Sequence, residues 1–130
     1  MDVDLDSAGD STASHLELDI SGSNPALASL TIGSNGSSTN FVDVQASGTL
    51  TTINVDGTAN IELIDTVGGA GMTAVNRLDA ASASGDIMAT VDSPVVNMFM
   101  GAGDDTITAA GAPAATANWA GGTGADTLDL

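Results

Sequence analysis

MGAGDDTIT (residues 100–108) and GGTGADTLDL (residues 121–130) are two versions of one pattern. The second fits the nonapeptide G-G-x-G-x-D-x-U-x, with U a large apolar residue, at every defined position. The first fits it with Met100 in place of the opening glycine. Glycines let the backbone adopt conformations closed to other residues, so that carbonyl oxygens turn inward, and the aspartate adds a charged oxygen. The apolar residue two places later then enters a core. This is the chemistry of a calcium-binding turn, with Gly101, Gly103 and Asp105 as ligands in one copy and Gly122, Gly124 and Asp126 in the other.

Asp105 and Asp126 are 21 residues apart, close to the roughly 18 of a coil built from two nonapeptides. The two turns are therefore expected to stack on one edge of a solenoid, with Ca2+ drawing oxygens from both. The intervening AAGAPAA (residues 109–115) supplies the opposite edge and carries no carboxylate, so that edge is expected to be metal-free. The competing explanation is an ordinary metal-free turn, since Gly-Asp pairs also mark hairpins.

Upstream, short β-rich runs alternate with Gly/Ser/Asn/Asp turns: residues 15–21, 29–34, 41–47, 51–57, 60–66, 75–81, 86–92 and 95–100. Many alternate apolar with polar residues, as half-buried strands do: Leu16, Leu18 and Ile20; Val42 and Val44; Ile53 and Val55; Ile87, Ala89 and Val91. No stretch sustains a helical period. From residue 78 onward apolar centres recur about every ten residues, at Leu78, Met88, Met98, Ile107, Trp119 and Leu128, as two strands per coil require. The N-terminal half is less regular, with centres at Leu18, Leu30, Val42, Ile53 and Leu63. The expected fold is all-β, a parallel β-solenoid of β-roll type with stacked calcium-binding turns. Residues 1–77 form an irregular solenoid or small sandwich segment, and residues 78–130 the calcium-binding roll.

Composition restricts the partners. The 130 residues carry a net charge of −16, with Arg77 the only Lys or Arg. Acids in that excess have no internal salt bridges to neutralise them, and divalent cations are the obvious counter-charge. One base and three aromatic residues leave nothing to grip phosphates or stack on bases, which excludes nucleic acid. Anionic membrane surfaces are disfavoured for the same reason, and no apolar run reaches the length of a bilayer span, so no transmembrane segment is expected. Leu, Ile, Val and Phe make up only 28 residues, a thin core that leaves folding dependent on the metal. The absence of cysteine does not assign a compartment. The start, MDVDLDSAGD, lacks the basic and apolar regions of a secretory signal, and an excised segment of a longer protein is the expectation.

The two repeats, together with INVDGTANIELID (residues 53–65) and LDAASASGDIMATV (residues 78–91), resemble the calcium-dependent surface-layer proteins and large RTX adhesins of Gram-negative bacteria. The resemblance covers roughly residues 50–130. It implies a secreted, calcium-loaded β-solenoid that packs as a homo-oligomer into a lattice or filament on the cell surface. It also implies type I export through a signal at the far C-terminus, and none is recognisable here. The resulting reading is a self-assembling structural segment of an extracellular layer, matrix or fibre, not an enzyme. The alternatives are an adhesin binding module and the calcium-binding tail of a secreted hydrolase.

Other sites are weaker. Asp2, Asp4, Asp6 and Asp10 are spaced like a calcium loop, but Ser7 and Ala13 stand where an EF-hand has its glycine and bidentate Glu, and a solvated terminus or edge strand fits better. Asp43, Asp56, Asp65, Asp79, Asp86 and Asp92 read as turn and strand-end residues, of which some could bind calcium between coils, although turn capping is the commoner explanation. His15 is the only histidine, which leaves no zinc cluster and makes a catalytic triad implausible. Trp119 and methionines 72, 88, 98 and 100 read as interior fillers. Arg77 pairs locally with an Asp or contacts another subunit.

Overall fold

The computed structural model describes residues 1–9, 14–20, 27–46, 49–64, 74–91, 97–109 and 116–129. Asp10, Ala13, Asp65, Met72, Asp92, the turn at 110–115 and Leu130 lie outside the described residues. Twelve strands follow in chain order: β1 (Asp2–Asp6), β2 (Leu16–Ile20), β3 (Ser29–Asn35), β4 (Asn40–Ala46), β5 (Thr52–Gly57), β6 (Ile61–Ile64), β7 (Arg77–Ala83), β8 (Ile87–Val91), β9 (Asn97–Phe99), β10 (Thr106–Ala109), β11 (Asn118–Ala120) and β12 (Thr127–Asp129). Odd strands form one parallel sheet in the order β1-β3-β5-β7-β9-β11, and even strands form the other, β2-β4-β6-β8-β10-β12. Each coil therefore lays one strand on each of two faces, which is a parallel β-solenoid. Both sheets run without a break through residues 77 and 78, because β5 pairs with β7 and β6 with β8.

Register measures the coils. In the odd sheet Asp2 pairs with Thr31, 29 residues on, and Thr52 with Arg77, 25 on, whereas Arg77 meets Asn97 after 20 and Asn97 meets Asn118 after 21. In the even sheet Met88 meets Thr106 after 18 residues and Thr106 meets Thr127 after 21. The irregularity of the N-terminal half is thus a matter of longer and unequal coils around the same two sheets. One extra residue of β7 bulges out between the pairs Asn54–Asp79 and Asp56–Ser82. Bulges of this kind absorb an odd residue without changing the face that follows.

Alternation decides what enters the core. Leu30 and Ile32, Ile53 and Val55, Leu78 and Ala80 point in from the odd sheet, facing Val42 and Val44, Ile61 and Leu63, Ile87, Ala89 and Val91 from the even sheet. Each fully buried Leu, Ile or Val contributes about 1.5–3 kcal/mol relative to exposure. Met98 and Met100 fill the interior as expected, and Trp119 packs partly against it. Met88 does not: it is 40% exposed, because Ile87 and Ala89 on either side occupy the inward positions. MDVDLD is an edge strand, with Asp2, Asp4 and Asp6 on the outer face and Val3 and Leu5 packed inward. No helix among the described residues is long and apolar enough to cross a membrane.

Candidate metal centre

The described links from an odd strand to the following even strand, from β3–β4 to β11–β12, lie on one edge of the solenoid, so these turns stack. The last two are joined through the backbone. Ala102 bridges to Thr123; the Gly103 N–H donates to the Thr123 carbonyl at 3.0 Å, and the Thr123 N–H to the Gly101 carbonyl at 2.9 Å. The spacing of 21 residues therefore places the six expected ligand residues in matched pairs, Gly101 with Gly122, Gly103 with Gly124 and Asp105 with Asp126. Gly103 and Gly124 adopt φ of 126° and 144°, conformations that favour glycine, and a Cβ on Gly124 would stand 1.8 Å from the Gly103 carbonyl oxygen.

The carboxylates on this edge form a ladder in two columns. In the first, the Asn60 side-chain oxygen accepts from the Asp86 N–H at 2.9 Å, Asp86 Oδ1 from the Asp104 N–H at 2.8 Å, and Asp104 Oδ1 from the Ala125 N–H at 2.9 Å. In the second, acceptance runs backwards along the chain: Asp105 Oδ1 takes the Ile87 N–H at 2.7 Å and Asp126 Oδ1 the Asp105 N–H at 3.2 Å. Asn40 opens that edge in the same way, accepting from the Ala8 N–H at 2.7 Å. These side chains satisfy backbone donors where strand pairing begins. Both oxygens of Asp86 are engaged in this role, since its Oδ2 also accepts from Asn60 Nδ2 at 2.9 Å.

Asp105 is different. Its level in the stack is held by the buried Ile61 and Ile87 in the preceding coils, so its side chain enters the solenoid interior, and it is 1% exposed. Oδ1 is used by Ile87, but Oδ2 is buried with no hydrogen-bond partner. Burial holds the Asp105 carboxyl above the usual carboxylate range, and the charges of Asp126, Asp86 and Asp104 add to that shift; the Ile87 hydrogen bond opposes it. A buried, unpaired carboxylate oxygen surrounded by further acids is costly unless a proton or a cation joins it.

Asp105 and Asp126 both line a cavity of about 180 Å³ with Met98, Met100, Ile107 and Trp119. Asp126 Oδ2 lies 2.3 Å from the point a Cβ on Gly121 would occupy, so only glycine there admits the carboxylate in this pose. Met100 fills the matching position one coil earlier and has that Cβ, so Asp105 cannot be posed as Asp126 is. The two turns are chemically unequal. Among the described residues no three His, Cys, Asp or Glu side chains converge on one point. A cation here has to complete its shell with main-chain oxygens, which the glycine-rich turns provide. The residues therefore fit calcium: a deprived carboxylate oxygen, a second carboxylate one coil away, and close-packed carbonyls that a Cβ would displace.

Sequence reasoning missed Asn40, Asn60 and Asp86 as parts of one device. The signal was available, since Asn60, Asp86, Asp105 and Asp126 each immediately precede an even strand. Of the remaining acids, Asp43 and Asp56 lie within strands, and Asp79 hydrogen-bonds Arg77. The Arg77 guanidinium also sits 4.7 Å above the Phe99 ring, a local pairing across neighbouring strands. Asp104 is exposed and Asp105 buried, so these adjacent carboxylates face different surroundings. No family model, curated protein or solved structure matches the chain.

Proposed function

We propose that the chain is a structural segment of an extracellular surface-layer, matrix or fibre protein, a β-solenoid whose C-terminal coils are fastened by calcium. The observation that carries this reading is Asp105 Oδ2, buried and without a partner beside three other carboxylates. Calcium would be held by Asp105 and Asp126 with carbonyls of Gly101, Gly103, Gly122 and Gly124. Bound there, it supplies positive charge and a cross-link between coils. The chain's own part is to preorganise the site: Oδ1 of each aspartate is tied to a backbone N–H, which leaves Oδ2 for the ion.

The structural role is supported by the form of the molecule. Two six-stranded sheets present outer faces rich in Ser, Thr, Asn and Asp, a surface suited to packing against copies of itself. At a net charge of −16, copies repel one another until a divalent cation intervenes. Assembly into a homo-oligomeric lattice or filament outside the cell is thus proposed to depend on calcium.

The test is a calcium titration followed by circular dichroism, light scattering and electron microscopy, with magnesium and chelator as controls. Folding and ordered association that rise with calcium and not with magnesium are expected. A fold indifferent to chelator sinks the calcium reading. A folded protein that stays monomeric at high concentration in millimolar calcium sinks the building-element reading and favours a binding module.

A further inference from the structure

We propose that His15 is a proton-operated clamp that fastens the first coil of the solenoid to the third. The only histidine of the chain immediately precedes β2, the edge strand of the even sheet, whose ladder partner is β4 alone. Leu16 pairs with Val42 and Phe41 with Glu62, so His15, Phe41 and Glu62 stand at one level on three successive strands. His15 Nε2 reaches across β4 to within 3.6 Å of Glu62 Oε1. Its ring meets Phe41 edge-on, with centroids 5.8 Å apart and planes at 87°. The two polar side chains are only 8% and 17% exposed. Both His15 Nε2 and Glu62 Oε2 are buried without a hydrogen-bond partner.

The charged groups around the imidazole are all acids. Glu62 faces it from β6; Asp43 of β4 and Glu17 of β2 are paired with each other one level and two residues along. Met88, level with Glu62 on β8, brings no charge. A neutral imidazole leaves the Glu62 carboxylate buried against a ring without net charge. An imidazolium donates from both nitrogens and turns the same contact into a charge-assisted hydrogen bond, which shortens to about 2.7–2.9 Å. A contraction of less than one ångström therefore gives His15 Nε2 a partner in Glu62 Oε1 and places a positive charge beside the buried carboxylate. The clamp is closed while His15 is protonated and opens as it deprotonates, so the stability it confers on β2 is present at low pH and lost as pH rises. Imidazole is the side chain whose charge ordinarily changes between roughly pH 5 and 8, which sets the range of the test.

Amide hydrogen exchange of the intact chain in saturating calcium, corrected for intrinsic rates, tests this strand by strand at pH 5 and pH 8. Calcium keeps the C-terminal turns occupied at both values, which separates the clamp from the metal reading. Protection of the β2 amides is expected to be about tenfold greater at pH 5 in the wild type, as one charge-assisted hydrogen bond implies. Glu62→Gln and His15→Gln are each expected to abolish that difference while leaving β8 and β10 unaffected. If either variant fails to fold, ring-nitrogen shifts of His15 in the wild type decide: they must change over the same pH range as β2 protection. Protection of β2 that ignores pH, or a pH dependence retained in Glu62→Gln, overturns the clamp.

Discussion

Asp105→Asn separates a metal ligand from a backbone cap, because only the ligand role makes the sign of the effect depend on calcium. The amide keeps an oxygen for the Ile87 N–H, which Asp105 Oδ1 accepts at 2.7 Å, so the cap survives. What disappears is a charge whose second oxygen is buried, unpaired and opposed by Asp126, Asp86 and Asp104. Relieving an unsatisfied buried group is worth about 1–3 kcal/mol, with charged groups at the upper end. In chelator the variant is therefore expected to be more stable than the wild type by about 1–2 kcal/mol, since the Asn Nδ2 remains without a partner and returns part of that gain. In calcium the order reverses. A wild type held at a hundredfold excess over its dissociation constant gains about 2.7 kcal/mol by mass action. The variant forfeits most of this. Urea unfolding followed by circular dichroism, run in chelator and in millimolar calcium, reads both numbers. An effect of the same sign and size in the two media would refute the reasoning and remove Asp105 as a calcium ligand.

Gly121→Ala puts a Cβ 2.3 Å from Asp126 Oδ2 and is expected to weaken calcium binding at least tenfold by calorimetry, with little effect on the metal-free protein. Met100→Gly, which creates a full motif in the other turn, should not weaken it. Asp86→Ala removes the acceptor for the Asp104 N–H and Asn60 Nδ2, and should cost about 1–3 kcal/mol in urea with or without calcium. Stability in chelator should fall with rising pH through the elevated Asp105 range: a carboxyl titrating higher in the folded than in the unfolded state binds its proton preferentially when folded, so acid favours the fold. Asp105→Asn should flatten that dependence; a metal-free stability that instead rises through the same range would contradict the burial argument.

Local parity made most of the fold legible. Ile53 and Val55, or Ile87, Ala89 and Val91, alternate along the chain, and in a strand alternation alone assigns the face. The same rule, applied strictly, would have put Met88 outside; counting it as an apolar centre by spacing ignored its inward neighbours. MDVDLD obeys that parity too, and it is the edge strand that the sequence favours over a calcium loop, with Val3 and Leu5 turned inward.

The two glycine-rich turns were legible because their spacing equals one coil, so that a match in sequence becomes a match in space. The longer coils upstream broke that equality. Asn60 and Asp86 are 26 residues apart and His15 and Glu62 are 47 apart, with no repeated motif to align them. By itself the sequence determined that the strands are half-buried, that two C-terminal turns are built alike, and that seventeen acids face a single Lys or Arg. Only the tertiary structure decided which coil lies over which. The stacking buried Asp105 at the level of Ile61 and Ile87, and it enclosed His15 against Glu62. The physical reason is that a side chain's direction is set by its neighbours in sequence, whereas its burial and its partners are set by residues a whole coil away, through turn lengths that local periodicity does not encode.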